Sequence, residues 1–235
     1  MKTNIQNILD KIENTALQSE PFGHLVVDNL LPDDLYKSLS KELADEDFNS
    51  KYPRGEYGNK ERFGVDITDY PSWNKSKRNI ATRIHQHNYS LLSSKNDSNI
   101  KFFVDLLLEN EKDFYSLLCS KLPTERMQDN YFLHISMVKD SLGYKIVPHP
   151  DSAENIFTIL FYAPETDTNK AFGLDLYREE GTSKNLQLAK QVEFIPNRMI
   201  IFAPSASTWH SVNQLSDKLT GTRNSFQIFF YKNAK

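Results

Sequence analysis

The sequence predicts an α+β protein with a mainly-β core, helical in its first half and built of short strands in its second. Three observations carry that reading. Apolar residues near the start, Ile5, Ile8, Leu9 and Ile12, recur at helical spacing. From Tyr131 onward the chain breaks into short β-branched and aromatic runs separated by Gly, Pro, Asn and Ser. Eight such runs in about a hundred residues is the rhythm of a sandwich or barrel. The 235 residues suffice for one domain with a helical annex. The chain is therefore read as a single domain over 1–235, with helical support and substrate-side loops over 1–128 and the β core over 129–235.

Taken in order, the first eighteen residues are expected to form an amphipathic helix that Pro21 stops. His24 to Asp28 (HLVVD) reads as a strand. Pro32, Asp33 and Asp34 open a second helix through about Ala44, with the acids in the first turn, where the helix dipole favours them. Residues 47 to 72 contain Pro53, Gly55, Gly58, Gly64 and Pro71, and are expected to be a long irregular segment, either a surface loop or a substrate-facing lid. A helical pattern returns from Trp73 to Leu92. Asp97, Ser98 and Asn99 can cap a further helix from Ile100 to about Leu122. The strands are then YFLHISMV, YKIVPH, IFTILFYA, FGLDLYR, QVEFI, RMIIFA, WHSVNQL and SFQIFFY. Because helices can pack on the outside of a sheet, the change of character near residue 128 need not divide two domains.

Composition narrows the functional classes. At 39% hydrophobic and 25% charged residues the chain has the balance of an ordinary globular protein. A net charge of −3 supplies no strong field for nucleic acid or an anionic membrane, so neither is expected as a partner. The single cysteine, Cys119, forms no internal disulfide, which fits a cytoplasmic location. The polar N-terminus lacks the apolar core of a signal peptide.

The chemistry concentrates at His149, Pro150 and Asp151, which end a predicted strand. Residues two apart on an extended chain point the same way, so His149 and Asp151 form a two-toothed grip for a divalent metal. His210, 59 residues after Asp151 (210 − 151), is the best third ligand. Two histidines and one carboxylate on one face of an iron leave three positions open, the facial triad of non-haem Fe(II) oxygenases. Arg223, 13 residues after His210 (223 − 210), opens an apolar strand. An interior guanidinium needs an anionic partner, and a bidentate carboxylate suits its geometry best. Ser225 and Gln227 share its face of the strand, so Ser225 can donate to the same carboxylate.

The series His149, Asp151, His210, Arg223 resembles the 2-oxoglutarate and Fe(II)-dependent oxygenase superfamily over about residues 131 to 231. Arg223-Asn224-Ser225 matches the Arg-x-Ser of part of that family. TILFYAP soon after HPD is similar to the prolyl-hydroxylase-like branch, in which a tyrosine at the place of Tyr162 helps to hold the cosubstrate. PFGHLVVDNLLPDDL resembles the opening of uncharacterised bacterial and phage members. One departure is that Ala171-Phe172-Gly173-Leu174 stands where members often carry Gly-Gly-x-Leu. The resemblance implies a double-stranded β-helix, a cupin-like jelly roll, with the N-terminal helices on its outside. It implies Fe(II) on His149, Asp151 and His210, 2-oxoglutarate as cosubstrate with its far carboxylate on Arg223, Ser225 and Tyr162, and O2 as oxidant. It also implies hydroxylation of an unactivated C–H bond with release of succinate and CO2. A carboxylate at Asp151 disfavours the halogenase variant.

The remaining candidates face the substrate. Arg54 and Arg62 lie in the 47–72 segment, and His134 on the strand before the site can line the pocket or support it by a hydrogen bond. His85 and His87, two apart on a predicted helix, splay about 200° and read as a solvated face. Trp209 is expected in the core, on the opposite side of its strand from His210. Such a site suits a polar small molecule, a sugar-like group or a peptide. Two other readings remain open: a cupin-like metal dioxygenase that does not use 2-oxoglutarate, in which Arg223 is a structural ion pair, and a non-catalytic jelly-roll binding module.

Overall fold

The computed structural model describes residues 5–46, 61–67, 98–180 and 185–232. The expected helix from Trp73 to Leu92, Arg54, and the His85–His87 pair lie outside the described residues. The helices are α1 (Ile5–Asn14), α2 (Asp33–Asp45), α3 (Asn99–Glu109) and α4 (Glu111–Lys121). The strands are β1 (His24–Val27), β2 (Arg62–Asp66), β3 (Tyr131–Asp140), β4 (Ile146–His149), β5 (Asn155–Tyr162), β6 (Leu174–Glu180), β7 (Asn185–Val192), β8 (Met199–Phe202), β9 (His210–Val212) and β10 (Arg223–Lys232).

Two antiparallel sheets result. The larger runs β1-β8-β5-β10-β3-β2 and the smaller β4-β9-β6-β7. The eight strands from β3 to β10 thus divide four and four, and the chain passes back and forth between the sheets. This is the strand order of a double-stranded β-helix, and it agrees with the expected mainly-β core carrying helices on its outside.

The alternation of side chains along each strand separates two cores. On the outer face of the large sheet, Ile135, Met137, Phe157, Ile159, Phe161, Ile201, Phe226 and Ile228 join Ile8, Leu39, Phe103, Leu107, Phe114 and Leu118 from the helices. Between the sheets, Leu160, Tyr162, Ile200 and Phe202 meet Leu174, Leu176, Val192, Phe194 and Val212. Phe103 of α3 packs on Phe161 and Phe226 at ring-centroid separations of 5.1 and 5.2 Å. These contacts fix the helices as a buttress against the sheet that carries half of the site.

Helix ends differ from the sequence expectation in two places. α1 stops at Asn14, before Pro21, where Thr15 Oγ1 and Asn14 Nδ2 turn back onto the carbonyls of Lys11 and Asp10. Leu17 therefore lies off the helix and is 49% exposed. The single helix expected from Ile100 to Leu122 is two, divided at Asn110, whose side-chain amide donates to Leu106 O at 2.8 Å. The capping expectation holds at Ser98, which accepts from Lys101 N at 3.0 Å. Glu42 of α2 adds a carboxylate to the same helix start, accepting from Asn99 N at 2.8 Å.

Candidate metal centre and anion-binding end

β4 and β9 pair so that His149 and His210 stand opposite each other. Their ring centroids are 4.5 Å apart. Asp151 follows β4 by two residues and turns its carboxylate to both rings. Its Oδ1 lies 3.9 Å from His149 Nε2 and 3.7 Å from His210 Nε2. Among the described residues these three form a possible metal-binding group, with all ligand atoms within 4.8 Å of one another. Ligands of one small divalent ion stand about 3 Å apart when each lies about 2.1 Å from it at right angles. Small side-chain movements would close the set.

The hydrogen bonds around the three side chains suit a metal. His149 Nδ1 lies 2.9 Å from Val147 O, and His210 Nδ1 lies 3.0 Å from Thr208 O. A carbonyl only accepts, so each Nδ1 carries the proton and each Nε2 presents a lone pair to the centre. Burial lowers the His210 pKa, an effect that outweighs the nearby Asp151 carboxylate, and keeps the imidazole neutral as ligation requires. Asp151 Oδ2 accepts from Thr158 Oγ1 at 2.6 Å, which leaves Oδ1 toward the histidines. The sequence spacing brings His149, Asp151 and His210 together as expected. Thr158 was not singled out, although its place on the inner face of β5 follows from the strand period.

Registers across the large sheet define rows of inward-facing residues. One row runs His24, Phe202, Thr158, Phe229, His134, from β1 to β3. Phe202 touches His210 edge-on at 5.0 Å, so this row lies at the level of the metal group. His134 is fully buried there, near-parallel to Phe229 at 6.2 Å, and outside the ligand set. It therefore belongs to the wall of the inner space. The next rows toward the other end bring in Leu160 with Gln227 and Ser136, then Tyr162 with Ser225 and Val138, then Arg223 with Asp140. Metal group and arginine thus occupy the same interior at different levels.

Arg223 is 2% exposed and already holds an anionic partner. Its Nη1 donates to Asp140 Oδ2 at 2.9 Å and its Nε to Phe172 O at 2.8 Å. Asp140 is thus an anionic partner of the kind that an interior guanidinium is expected to need. Asp140 closes β3 directly opposite Arg223 on one side and Arg62 on the other. Arg62 grips the same carboxylate with two donors, Nε to Oδ1 at 2.6 Å and Nη2 to Oδ2 at 3.0 Å, and lies 4.3 Å over the Tyr144 ring. Arg62, expected to face substrate, is therefore part of an ion cluster at the arginine end.

The guanidinium of Arg223 also lies 5.3 Å from the ring centre of Tyr162 and 5.0 Å from that of Phe194. The Tyr162 hydroxyl is buried and has no hydrogen-bond partner of good geometry. Burial pushes its pKa up, and the adjacent Arg223 charge offsets this in part. A buried hydroxyl left open beside a guanidinium fits an incoming carboxylate. Ser225, buried directly opposite Tyr162, completes that face. Trp209 departs from its expected core position: it is half-buried, and its indole N–H donates to Glu179 at 2.6 Å.

No protein-family model matches the chain, and no curated protein matches it in sequence. Solved structures do share its fold. A prolyl-4-hydroxylase from Pseudomonas putida superposes with a TM-score of 0.59 over 98% of this chain and 100% of that one, at 13% identity. SnoN, a non-haem α-ketoglutarate-dependent epimerase from nogalamycin biosynthesis, gives a TM-score of 0.51 over 97% of this chain and 82% of its own, at 10% identity. The chain therefore shares the fold of these two solved structures.

Proposed function

We propose that this protein is a 2-oxoglutarate- and Fe(II)-dependent dioxygenase that hydroxylates an unactivated C–H bond. The observation that carries the proposal is the convergence of His149 Nε2, His210 Nε2 and Asp151 Oδ1, with both imidazole tautomers set for ligation. Two nitrogens and one carboxylate oxygen on one side of an ion are the donor set of non-haem Fe(II) oxygenases. Bound there, iron would supply the activation of O2 that is coupled to decarboxylation of 2-oxoglutarate to succinate and CO2. The rest falls to the chain. Thr158 orients Asp151. Arg223, Tyr162 and Ser225 would receive the far carboxylate of the cosubstrate, so that its 2-oxo acid end is directed toward the metal level. His134 and Phe229 would wall the space beside the metal and exclude water.

The substrate is proposed as a small molecule, a sugar-like group or a peptide segment. The two fold relatives, a hydroxylase and an epimerase, leave both outcomes within the architecture. The Asp151 carboxylate favours hydroxylation over halogenation.

Anaerobic calorimetry of 2-oxoglutarate into the protein, with and without Mn(II) in place of Fe(II), tests the proposal. Binding is expected only with metal, and is expected to disappear in Asp151→Ala and Arg223→Ala variants that keep their far-ultraviolet circular dichroism. If the wild type binds metal but not 2-oxoglutarate, a metal dioxygenase that does not use this cosubstrate replaces the proposal. Absence of metal binding would leave a jelly-roll binding module.

A further inference from the structure

Between the metal group and the arginine end, the interior is walled by Leu160 and Ile200 on the large sheet and by Ile146, Val212 and Leu174 on the small one. These side chains are all apolar. Among the described residues of this stretch, Gln227 on β10 and Ser136 on β3 break the pattern. They stand directly opposite each other, with Leu160 on the other side of Gln227. Their row lies between that of Phe229 and Thr158, at the metal level, and that of Ser225, toward Arg223. Ser136 is 5% exposed, and Gln227 is part-buried between the fully buried Phe226 and Ile228 of the outer core. Gln227 faces the space between the sheets, so what remains of its exposure opens into that space. Neither the Ser136 hydroxyl nor the Gln227 amide makes a hydrogen bond to a described residue. Interior polar groups are nearly always paired, because leaving one unpaired costs its desolvation. Two neighbouring ones turned into one apolar passage mark a contact for a ligand.

We propose that Gln227 and Ser136 donate hydrogen bonds to the metal-binding, 2-oxo acid end of the cosubstrate. The inference rests on the 2-oxoglutarate reading above. A ligand that reaches from the metal group to Arg223 must pass this row. Its far carboxylate would meet Arg223 and Ser225. At the metal level, by contrast, Thr158 is spent on Asp151, and Phe202 and Phe229 have no donor to give. A chelating 2-oxo acid gives the metal one oxygen of its carboxylate and leaves the other in the apolar passage. Gln227 Nε2 and Ser136 Oγ can satisfy that oxygen. Both are neutral donors, so they do so without setting a positive charge beside a divalent ion.

The test compares two ligands by calorimetry on the Mn(II)-loaded full chain. 2-Oxoglutarate reaches both ends, whereas oxalate forms the same kind of two-point chelate and has no far carboxylate. Gln227→Met keeps the length of the side chain and loses the amide. It is expected to weaken both ligands about tenfold, as loss of a hydrogen bond to a charged group does. Ser136→Ala is expected to weaken both in the same way. Gln227→Glu should weaken both further than Gln227→Met, since two carboxylates would then meet. Arg223→Ala should weaken 2-oxoglutarate and leave oxalate unchanged. Mn(II) affinity, read by competition with a chelator, should stay at the wild-type value in Gln227→Met; a merely structural role would lower it together with both ligands. Equal binding of both ligands by the wild type and Gln227→Met would overturn this inference and leave the proposed activity standing. Weakened 2-oxoglutarate with unchanged oxalate would overturn it too, by placing the contact at the far carboxylate. So would a wild type that binds 2-oxoglutarate but not oxalate, because the ligand would then be held from the arginine end alone. A wild type that takes up no Mn(II), or takes it up and binds neither ligand, would overturn this inference and the proposed activity together.

Discussion

Among individual residues, Thr158 is the one whose small size hides its leverage. Asp151 has two oxygens, and only one can face the histidines usefully. The Thr158 hydroxyl takes the other at 2.6 Å and so sets the torsion of the carboxylate. Valine has nearly the same shape and no hydroxyl. In Thr158→Val the carboxylate can rotate, and its outer oxygen loses a partner in a part-buried site. Loss of such supporting hydrogen bonds typically weakens metal binding 10–100-fold. The same drop is expected here, read by competition between the protein and a fluorescent chelator for Mn(II). A change under about twofold would mean that other contacts hold Asp151. The triad itself was legible in the sequence, because a strand period places His149 and Asp151 on one side and the downstream series supplies the rest. Thr158 and Asp140 were not legible in that way. Each reads locally as an ordinary strand or turn residue, and Asp140 acquires its meaning only from Arg62 and Arg223, 78 and 83 positions away.

At the level of elements, the entry to β6 sets the arginine end. Gly173 follows a short 3-10 turn at Lys170–Phe172, and a Cβ placed on it would lie 1.8 Å from Val192 O. No side chain fits, because β6 and β7 begin their pairing at Leu174 and Val192. Any substitution must push β7 away or lift Phe172, whose carbonyl receives Arg223 Nε. Gly173→Ala is therefore expected to destabilise the protein by about 2–4 kcal/mol and to weaken 2-oxoglutarate binding in the fraction that folds. Urea unfolding and calorimetry report the two effects separately, and a wild-type midpoint would show that the approach relaxes freely. The residue sequence Ala171-Phe172-Gly173-Leu174 retains the one glycine that this approach demands. Other element boundaries were less legible. β7 runs Asn185–Val192 rather than through QVEFI, since as an edge strand it is mostly exposed and carries few apolar markers. The break at Asn110 was hidden because α3 and α4 both press apolar residues, Phe103 and Leu107, then Phe114 and Leu118, into one core.

For the molecule as a whole, local patterns indicated eight strands after the helices, but not which strand lies beside which. Pairings such as β3 with β10 join residues far apart in sequence, and no local rule of periodicity encodes them. What the assembled fold adds is a division of labour across one sheet. The outer face of β5 and β10 gives Phe161 and Phe226 to Phe103, while the inner face gives Tyr162 and Ser225 to the arginine end. Neighbouring residues on each strand thus face the helical core on one side and the arginine end on the other. Phe103→Ala removes a fully buried ring from the outer core, and truncations of this kind cost about 3–5 kcal/mol. Urea unfolding of the metal-free protein is expected to show that loss. The inner face keeps its own packing, in which Tyr162 meets Phe194 edge-on at 4.6 Å, independently of the helices. The folded fraction of Phe103→Ala should therefore bind 2-oxoglutarate with wild-type affinity below its unfolding transition. If affinity fell in step with stability, the sheet would be transmitting the cavity to Tyr162 and Ser225, and the two faces would have to be treated as one unit.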